Sequence, residues 1–210
     1  MIDVGTDEPR AGTSKRPRVW VAAGLAAVGA LALGIALRIG DGEGSPVSVA
    51  NAFMEARDNL DADTIEALFA PDVPISDGFI ETIDQYRLYF DWLRASNWRW
   101  DIGTCAEAST GPGGTLVRCD YVSENDWTRA LSHSPISGFI EILVADDEIT
   151  GLVHTGEIAQ FDEIWDTVTD WIAANHPDTV DQVLTPDLRR PVLDANSVAL
   201  WEQYTEEYVA

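Results

Sequence analysis

Basic residues are scarce in this sequence, and lysine is almost absent. The 210 residues contain 13 lysines and arginines against 36 aspartates and glutamates, which gives a formal net charge of −23 at pH 7. The imbalance lies after residue 40, because residues 1–40 carry five basic and three acidic residues. A surface this negative repels phosphate backbones. We therefore expect no nucleic-acid partner.

Residue types that bind metals are also few. The sequence has three histidines and two cysteines, without a CxxC pair or a histidine cluster, whereas metal sites need several such ligands close together. We therefore expect neither a metal nor another cofactor. Hydrophobic residues make up 46% and include eight tryptophans. This is enough for a packed core in one domain of ordinary size plus an appendage.

An uncharged stretch at residues 19–37 predicts a membrane anchor. A helix of this length spans roughly 28 Å, close to the hydrocarbon thickness of a bilayer. Lys15, Arg16 and Arg18 precede it, and the positive-inside rule then places the N-terminus in the cytoplasm. We predict a single-pass protein of the cell membrane, with an extracytoplasmic domain. A cleaved signal peptide is the alternative, although its apolar region would be shorter and would end at a small-x-small site.

Small residues recur at four-residue spacing along this stretch, at Ala22, Ala26, Ala30 and Gly34. Such spacing lets two membrane helices approach closely. The sequence is therefore compatible with a homodimer. In a segment this rich in alanine, however, the same pattern arises easily by chance.

Cys105 and Cys119 are the only cysteines, and they flank a turn-forming segment at 109–114. The segments before and after it are typical of strands. The midpoint between the two cysteines is residue 112, so a hairpin folded there sets them opposite each other, within disulfide range. Such a bond persists in an oxidising compartment, which agrees with the predicted orientation. Two unrelated buried thiols or half of a metal site are the alternatives, and no CxxC pair or histidine cluster supports the metal site.

Hydrophobic periodicity places helices at both ends of the domain and strands between them. The first helix begins at Ser45-Pro46, and a second has Asp63 and Glu66 in the spacing of a capping box. Three further helices are predicted. The first contains the hydrophobic stripe that starts at Ile83, the second ends at His176-Pro177, and the third begins near Asp194. Strands are predicted around the turn near residue 112 and at 139–145 and 148–155. This order indicates an α+β domain.

The segments 49–57 and 63–73, which read VANAFMEAR and DTIEALFAPDV, resemble the first helix pair of the NTF2-like superfamily. That superfamily includes the SnoaL-like cyclases and the ketosteroid isomerases. The resemblance implies a cone, in which a curved antiparallel sheet wraps around N-terminal helices and leaves a pocket. The predicted organisation is a cytoplasmic tail (1–18), an anchor (19–38), a linker (39–45), an NTF2-like domain (46–160) and a C-terminal helical extension (161–210).

The resemblance also suggests which positions to test for catalysis. Some members of the superfamily use a carboxylate or a histidine as a general base, and Asp77 stands where the isomerases carry their base aspartate. Their oxyanion hole needs a tyrosine and a protonated aspartate. Those positions correspond to Phe53 and to Gly138 or its neighbours, and neither side chain can donate a hydrogen bond. Isomerase chemistry of that form is therefore not expected.

Each candidate residue also has an ordinary structural interpretation. Asp77 precedes Gly78, as many turn aspartates do, and a histidine on a strand, such as His154, is often only hydrogen-bonded. Trp98 and Trp100 lie on one face of a predicted strand and could line a ligand pocket together with Phe53. Tryptophans in a domain of this size, however, more often build the core.

Two functions remain open from the sequence. The first is a non-catalytic binding or accessory domain, tethered to the membrane, for a small apolar ligand or an envelope protein. The missing oxyanion donors favour it. The alternative is a SnoaL-like isomerase, cyclase or hydrolase with Asp77 and His154 as acid and base. That alternative requires the two side chains to face each other across a cavity, within hydrogen-bond reach of one small molecule.

Overall fold

A computed structural model of the protein describes residues 44–77, 79–156, 158–188 and 190–210. The predicted cytoplasmic tail and anchor lie outside these residues and stay predictions, as does the orientation that depends on them. Within the described ranges, no helix has the length and apolar character needed to cross a bilayer.

The described residues form short N-terminal helices, a central sheet and C-terminal helices. In chain order the elements are α1 (Pro46–Asp58), α2 (Ala62–Leu68), β1 (Ile75–Ser76), a 3-10 turn (Ile83–Gln85), α3 (Tyr86–Ala95), β2 (Arg99–Gly111), β3 (Gly114–Glu124), α4 (Asp126–Ala130), β4 (Ile136–Ala145), β5 (Glu148–Gly156), α5 (Ile158–Asn175), α6 (Val180–Val183) and α7 (Ala195–Val209).

The strands form a five-stranded sheet in the order β1-β5-β4-β3-β2. The pairs β2–β3, β3–β4 and β4–β5 are antiparallel, and the two-residue β1 runs parallel to β5. The register of β2 against β3 shifts twice, and β4–β5 shifts once, and irregularities of this kind bend a strand. The predicted α+β class with a curved sheet is therefore confirmed.

Side-chain caps start α1, α2, α4 and α7, and at α4 the cap is Asn125, which accepts from the Thr128 amide. Ser45 accepts from the Ser48 amide at the start of α1, as predicted, and Asp194 accepts from the Ser197 amide at the start of α7. For α2 the prediction was wrong by two residues. Asp61, rather than Asp63, is the cap, and its carboxylate accepts from the amide and hydroxyl of Thr64.

The predicted disulfide between Cys105 and Cys119 is confirmed. The two residues are directly paired across β2 and β3, with a Cα–Cα distance of 4.0 Å. The strands are longer than the turn signal suggested, because pairing continues to Gly111 and Gly114. The cross-link lies two residues before Tyr121 on β3, so it holds together the part of the sheet that carries this side chain.

The C-terminal helices pack against the rest of the domain, and residues 42–210 form one compact unit. Trp201 of α7 is buried against Trp92 of α3 and Trp127 of α4, with ring centroids 5.9 and 5.2 Å apart. The segment 161–210, predicted as an extension, therefore shares its hydrophobic core with the segment before it. The short helices α4 and α6 were not predicted.

Candidate active site

A cavity of about 250 Å³ lies between α3, the sheet and the beginning of α5. Its walls are mainly aromatic and include Phe79, Trp92, Trp98, Trp100 and Phe161. Tyr121 and His154 supply polar groups to the same wall. The cavity is therefore suited to a small apolar molecule that meets a tyrosine and a histidine at one side.

Asp77 lies behind His154, away from the cavity lining. Its backbone does form a turn, because the Ile80 amide donates to the Asp77 carbonyl at 3.2 Å. The carboxylate, however, is fully buried and accepts hydrogen bonds from Tyr86 Oη at 2.7 Å and from Arg57. An unpaired buried carboxylate would be very unfavourable, and Asp77 is paired with Arg57 and Tyr86. The interpretation of Asp77 as an ordinary turn residue therefore fails for its side chain.

His154 joins the buried carboxylate to the cavity. Its Nδ1 lies 3.0 Å from Asp77 Oδ1, and its Nε2 lies 2.5 Å from Tyr121 Oη. An ionised carboxylate only accepts hydrogen bonds, so Nδ1 carries a proton and donates a hydrogen bond to Asp77. When the imidazole is neutral, Nε2 then accepts from the Tyr121 hydroxyl. We call these three residues the Asp77–His154–Tyr121 chain.

The strand register explains how Tyr121 reaches His154. Tyr121 on β3 is paired with Gly138 on β4, and β4 lies between β3 and β5. A Cβ atom at Gly138 would lie closer to Tyr121 Oη than such atoms approach in proteins. Glycine at 138 thus leaves the space through which the tyrosine crosses β4.

The electrostatics keep Asp77 ionised and Tyr121 neutral. Burial alone would raise the pKa of Asp77, but the charge of Arg57 and the hydrogen bonds from His154 and Arg57 outweigh it and hold that pKa well below its usual range. Burial raises the pKa of Tyr121 to about 12, with Arg57 lowering it and Asp77 raising it. Tyr121 is consequently a hydroxyl group and not a tyrosinate at neutral pH.

The predicted site residues separate into two groups. Asp77 and His154 are hydrogen-bonded to each other, and Trp98 and Trp100 line the cavity. Phe53 does not belong with them, because it is fully buried in the core and packs edge-to-face on Phe69 at 5.9 Å. Asp77 and His154 also do not face each other across the cavity, as an acid and a base on opposite sides of a ligand would.

Arg57, Tyr86 and Tyr121 were missed by the sequence reasoning. Arg57 lies on α1, where a single arginine in an amphipathic helix is ordinarily exposed. Tyr121 had a detectable signal, since it alternates with Cys119 on the buried face of β3. Across the described ranges, no group of three histidine, cysteine, aspartate or glutamate side chains is placed to hold a metal ion.

No protein-family model matches the sequence, and no curated protein resembles it significantly. Solved structures similar to this chain include PrhC from Penicillium brasilianum, with a TM-score of 0.46 and 14% identity over 63% of this chain and 93% of that one. A candidate polyketide cyclase from Xanthomonas campestris pv. campestris has a TM-score of 0.43 and 15% identity, over 54% of this chain and 91% of the other. A candidate ketosteroid isomerase from Kribbella flavida has a TM-score of 0.41 and 10% identity, over 52% and 76%. Similarity of this extent leaves the chemistry to be argued from the side chains.

Proposed function

We propose that the protein is an acid–base enzyme that moves a proton on a small, apolar, neutral molecule, as an isomerase or cyclase does. The observation that carries the proposal is the Asp77–His154–Tyr121 chain, which ends on an aromatic cavity of about 250 Å³. The resemblance to SnoaL-like proteins supports the same class. A binding domain needs the cavity alone, whereas a buried carboxylate aligned on a histidine is the arrangement of a general base.

The proton movement follows from the directions of the hydrogen bonds. The Tyr121 oxygen takes a proton from an acidic C–H or O–H group of the substrate while the Tyr121 hydroxyl proton passes to His154 Nε2. His154 then carries a positive charge, which the adjacent Asp77 carboxylate stabilises. The reverse transfer returns a proton to another atom of the substrate, and this completes an isomerisation.

The raised pKa of Tyr121 makes the coupling of these two transfers necessary. A tyrosine whose pKa is about 12 does not lose its proton to water at neutral pH. It can act as a base only if its own proton leaves as the substrate proton arrives. His154 Nε2, 2.5 Å away, is the acceptor that allows this. His154 is thus the base and Tyr121 the group that contacts the substrate.

The proposal includes the predicted location outside the cytoplasm, with residues 19–38 as the anchor. The disulfide between Cys105 and Cys119 supports an oxidising compartment, and the basic residues at 15–18 support the orientation. An anchored enzyme of this kind would act on apolar molecules at or near the membrane surface. Protease treatment of intact cells tests this part, because the domain should be cleaved and the N-terminal tail protected.

The activity can be tested with nitrobenzisoxazole, a small apolar ring compound. A base removes its ring C–H proton, the N–O bond breaks, and a coloured cyanophenolate forms. We expect the purified full chain to accelerate this reaction. His154→Gln and Tyr121→Phe should each lower the rate by about 10²–10⁴-fold, since each interrupts the proton transfer.

His133→Gln is the matched control, because His133 lies after α4 and does not line the cavity. It should leave the rate unchanged. If the probe binds in the cavity but His154→Gln and the unmodified chain react at the same rate, the domain binds ligands without catalysis and the proposal is wrong.

A further inference from the structure

We propose that Arg57 is a positioning residue that sets the direction of the hydrogen bonds in the Asp77–His154–Tyr121 chain, so that Tyr121 accepts a proton from the substrate. The inference rests on the proposed function for its catalytic meaning. Its physical content, the protonation of one nitrogen atom, can be measured without any substrate.

Arg57 is placed against the carboxylate end of the Asp77–His154–Tyr121 chain. The side chain is fully buried on α1, and its Nη1 donates to Asp77 Oδ2. Its guanidinium carbon lies 4.4 Å from the ring centroid of Trp100, which also lines the cavity. The Nε and Nη2 atoms have no hydrogen-bond partner among the described residues. Arg57 therefore contacts the chain through Asp77, at the end farthest from the substrate.

The charges of the buried cluster around Asp77 balance. Asp77 meets Arg57, Tyr86 and His154, while Arg57 lies beside Tyr89 and Trp100. The tyrosines are neutral, because burial raises the pKa of Tyr86 and of Tyr89. The positive Arg57 balances the negative Asp77, so the cluster is neutral when His154 carries one proton. That proton is on Nδ1, and Nε2 is free to accept.

Removing the charge on Arg57 should change the protonation of Asp77 and His154. A buried carboxylate without a countercharge takes up a proton from water. This proton can rest on Asp77, which then donates to Nδ1 and leaves the other imidazole proton on Nε2. It can equally give an imidazolium beside a carboxylate. Both arrangements place a proton on Nε2, which then donates to Tyr121, and the Tyr121 hydroxyl donates toward the cavity.

Arg57 consequently decides whether the cavity meets a proton acceptor or a proton donor. With Arg57 present, the Asp77–His154–Tyr121 chain accepts a proton from the substrate. Without it, the same residues present a hydroxyl that donates. No such effect is expected from a residue that only fills space in the core.

The experiment is nitrogen NMR of the purified full chain, labelled at histidine, at mildly alkaline pH. His154→Gln assigns the signals. We expect Nε2 of His154 to give an unprotonated signal in the unmodified chain and in Arg57→Lys, which keeps the charge. Arg57→Met, similar in length and uncharged, should give a protonated Nε2. Arg57→Gln, a second uncharged variant, should likewise give a protonated Nε2.

Each outcome tests the role of Arg57 separately from the proposed catalytic function. An unchanged Nε2 signal in Arg57→Met overturns the role of Arg57, even if the unmodified chain turns over nitrobenzisoxazole. A protonated Nε2 in Arg57→Met upholds it, even if no variant shows activity. If Arg57→Met does not fold, Arg57→Gln takes its place, and Arg57→Lys still tests the inference. An unprotonated Nε2 in Arg57→Gln, or a protonated Nε2 in Arg57→Lys, contradicts it.

Discussion

Two groups of three tryptophans share the interior of this domain, and they differ in what their indole N–H groups reach. One group lies on α4, α5 and α7 and consists of Trp127, Trp165 and Trp201. All three donate, at 2.8–3.2 Å, to a hydroxyl or a backbone carbonyl. The other group lines the cavity and consists of Trp92, Trp98 and Trp100. Among the described residues, the buried Nε1 atoms of this second group have no partner.

The difference separates structural packing from a functional site. A buried donor without a partner costs about 1–3 kcal/mol, and natural proteins leave such groups unpaired mainly where function requires it. The cavity wall has three unpaired indoles and a buried ion pair lies behind it, whereas all three indoles of the helical group have acceptors. We therefore expect substitutions in the two regions to have different consequences even when the side chains are equally buried.

The largest effect on stability should come from removing the Asp77 carboxylate, which lies behind the cavity wall. Asp77→Leu leaves Arg57 charged and unpaired in the core, which should lower the free energy of unfolding by about 3–5 kcal/mol. Denaturant titration measures it. Arg57→Met/Asp77→Leu is the control, because no charge is then left buried, and it should recover most of the loss. If the double variant is as unstable as Asp77→Leu, packing and not charge determines this region.

The next effect concerns the cross-link beside Tyr121. Replacing both cysteines, Cys105→Ala/Cys119→Ala, should lower the free energy of unfolding by about 3 kcal/mol, because the bond closes a loop of 14 residues and restricts the unfolded chain. Urea titration with and without reductant measures it. The reductant should destabilise only the unmodified chain. An effect of reductant on the double variant would assign the change to something other than this bond.

The pH dependence sharpens the comparison further. The folded-state pKa of Asp77 is depressed, so its contribution to stability is complete above the unfolded value of about 3.9 and is lost as the pH falls below it toward the folded value. Arg57→Met/Asp77→Asn lacks this carboxyl. Its stability should therefore fall less steeply below about pH 4, by up to about 1.4 kcal/mol per pH unit. Parallel curves for the two proteins would contradict an ionised Asp77.

The sequence predicted the fold because its signals were local. The N-cap at Ser45, the turn after Thr110 and the Cys105–Cys119 pair each depend on a few neighbouring residues, and all three are present. The cap of α2 was misplaced because Asp63 has Glu66 three residues later, the spacing of a capping box, whereas Asp61 caps the helix through Thr64. The short helix α4 escaped prediction because five residues carry too little periodicity to be detected.

The site was only half predicted, because it is assembled from four distant parts of the chain. Asp77 and His154 could be proposed one by one from the family resemblance. Their hydrogen bond, however, depends on the pairing of β1 beside β5. Arg57 and Tyr121 become functional only through contacts made across α1, β3 and the gap at Gly138. Nothing local to Phe53 distinguished a core position from a cavity wall.

The smallest effect tests the two groups of tryptophans directly, with one fully buried member of each. Trp92→Phe and Trp127→Phe remove similar packing, but Trp127 donates to Thr205 Oγ1 at 3.1 Å, whereas Trp92 Nε1 has no partner in the described part of the chain. Trp127→Phe should therefore be less stable than Trp92→Phe by about 0.5–1.5 kcal/mol, the usual net contribution of one hydrogen bond. Thr205→Val should match part of the Trp127→Phe loss and add little to it, because both changes remove the same bond. Equal losses in the two phenylalanine variants would mean that the cavity indoles do reach an acceptor in solution, and the contrast between the two groups would then disappear.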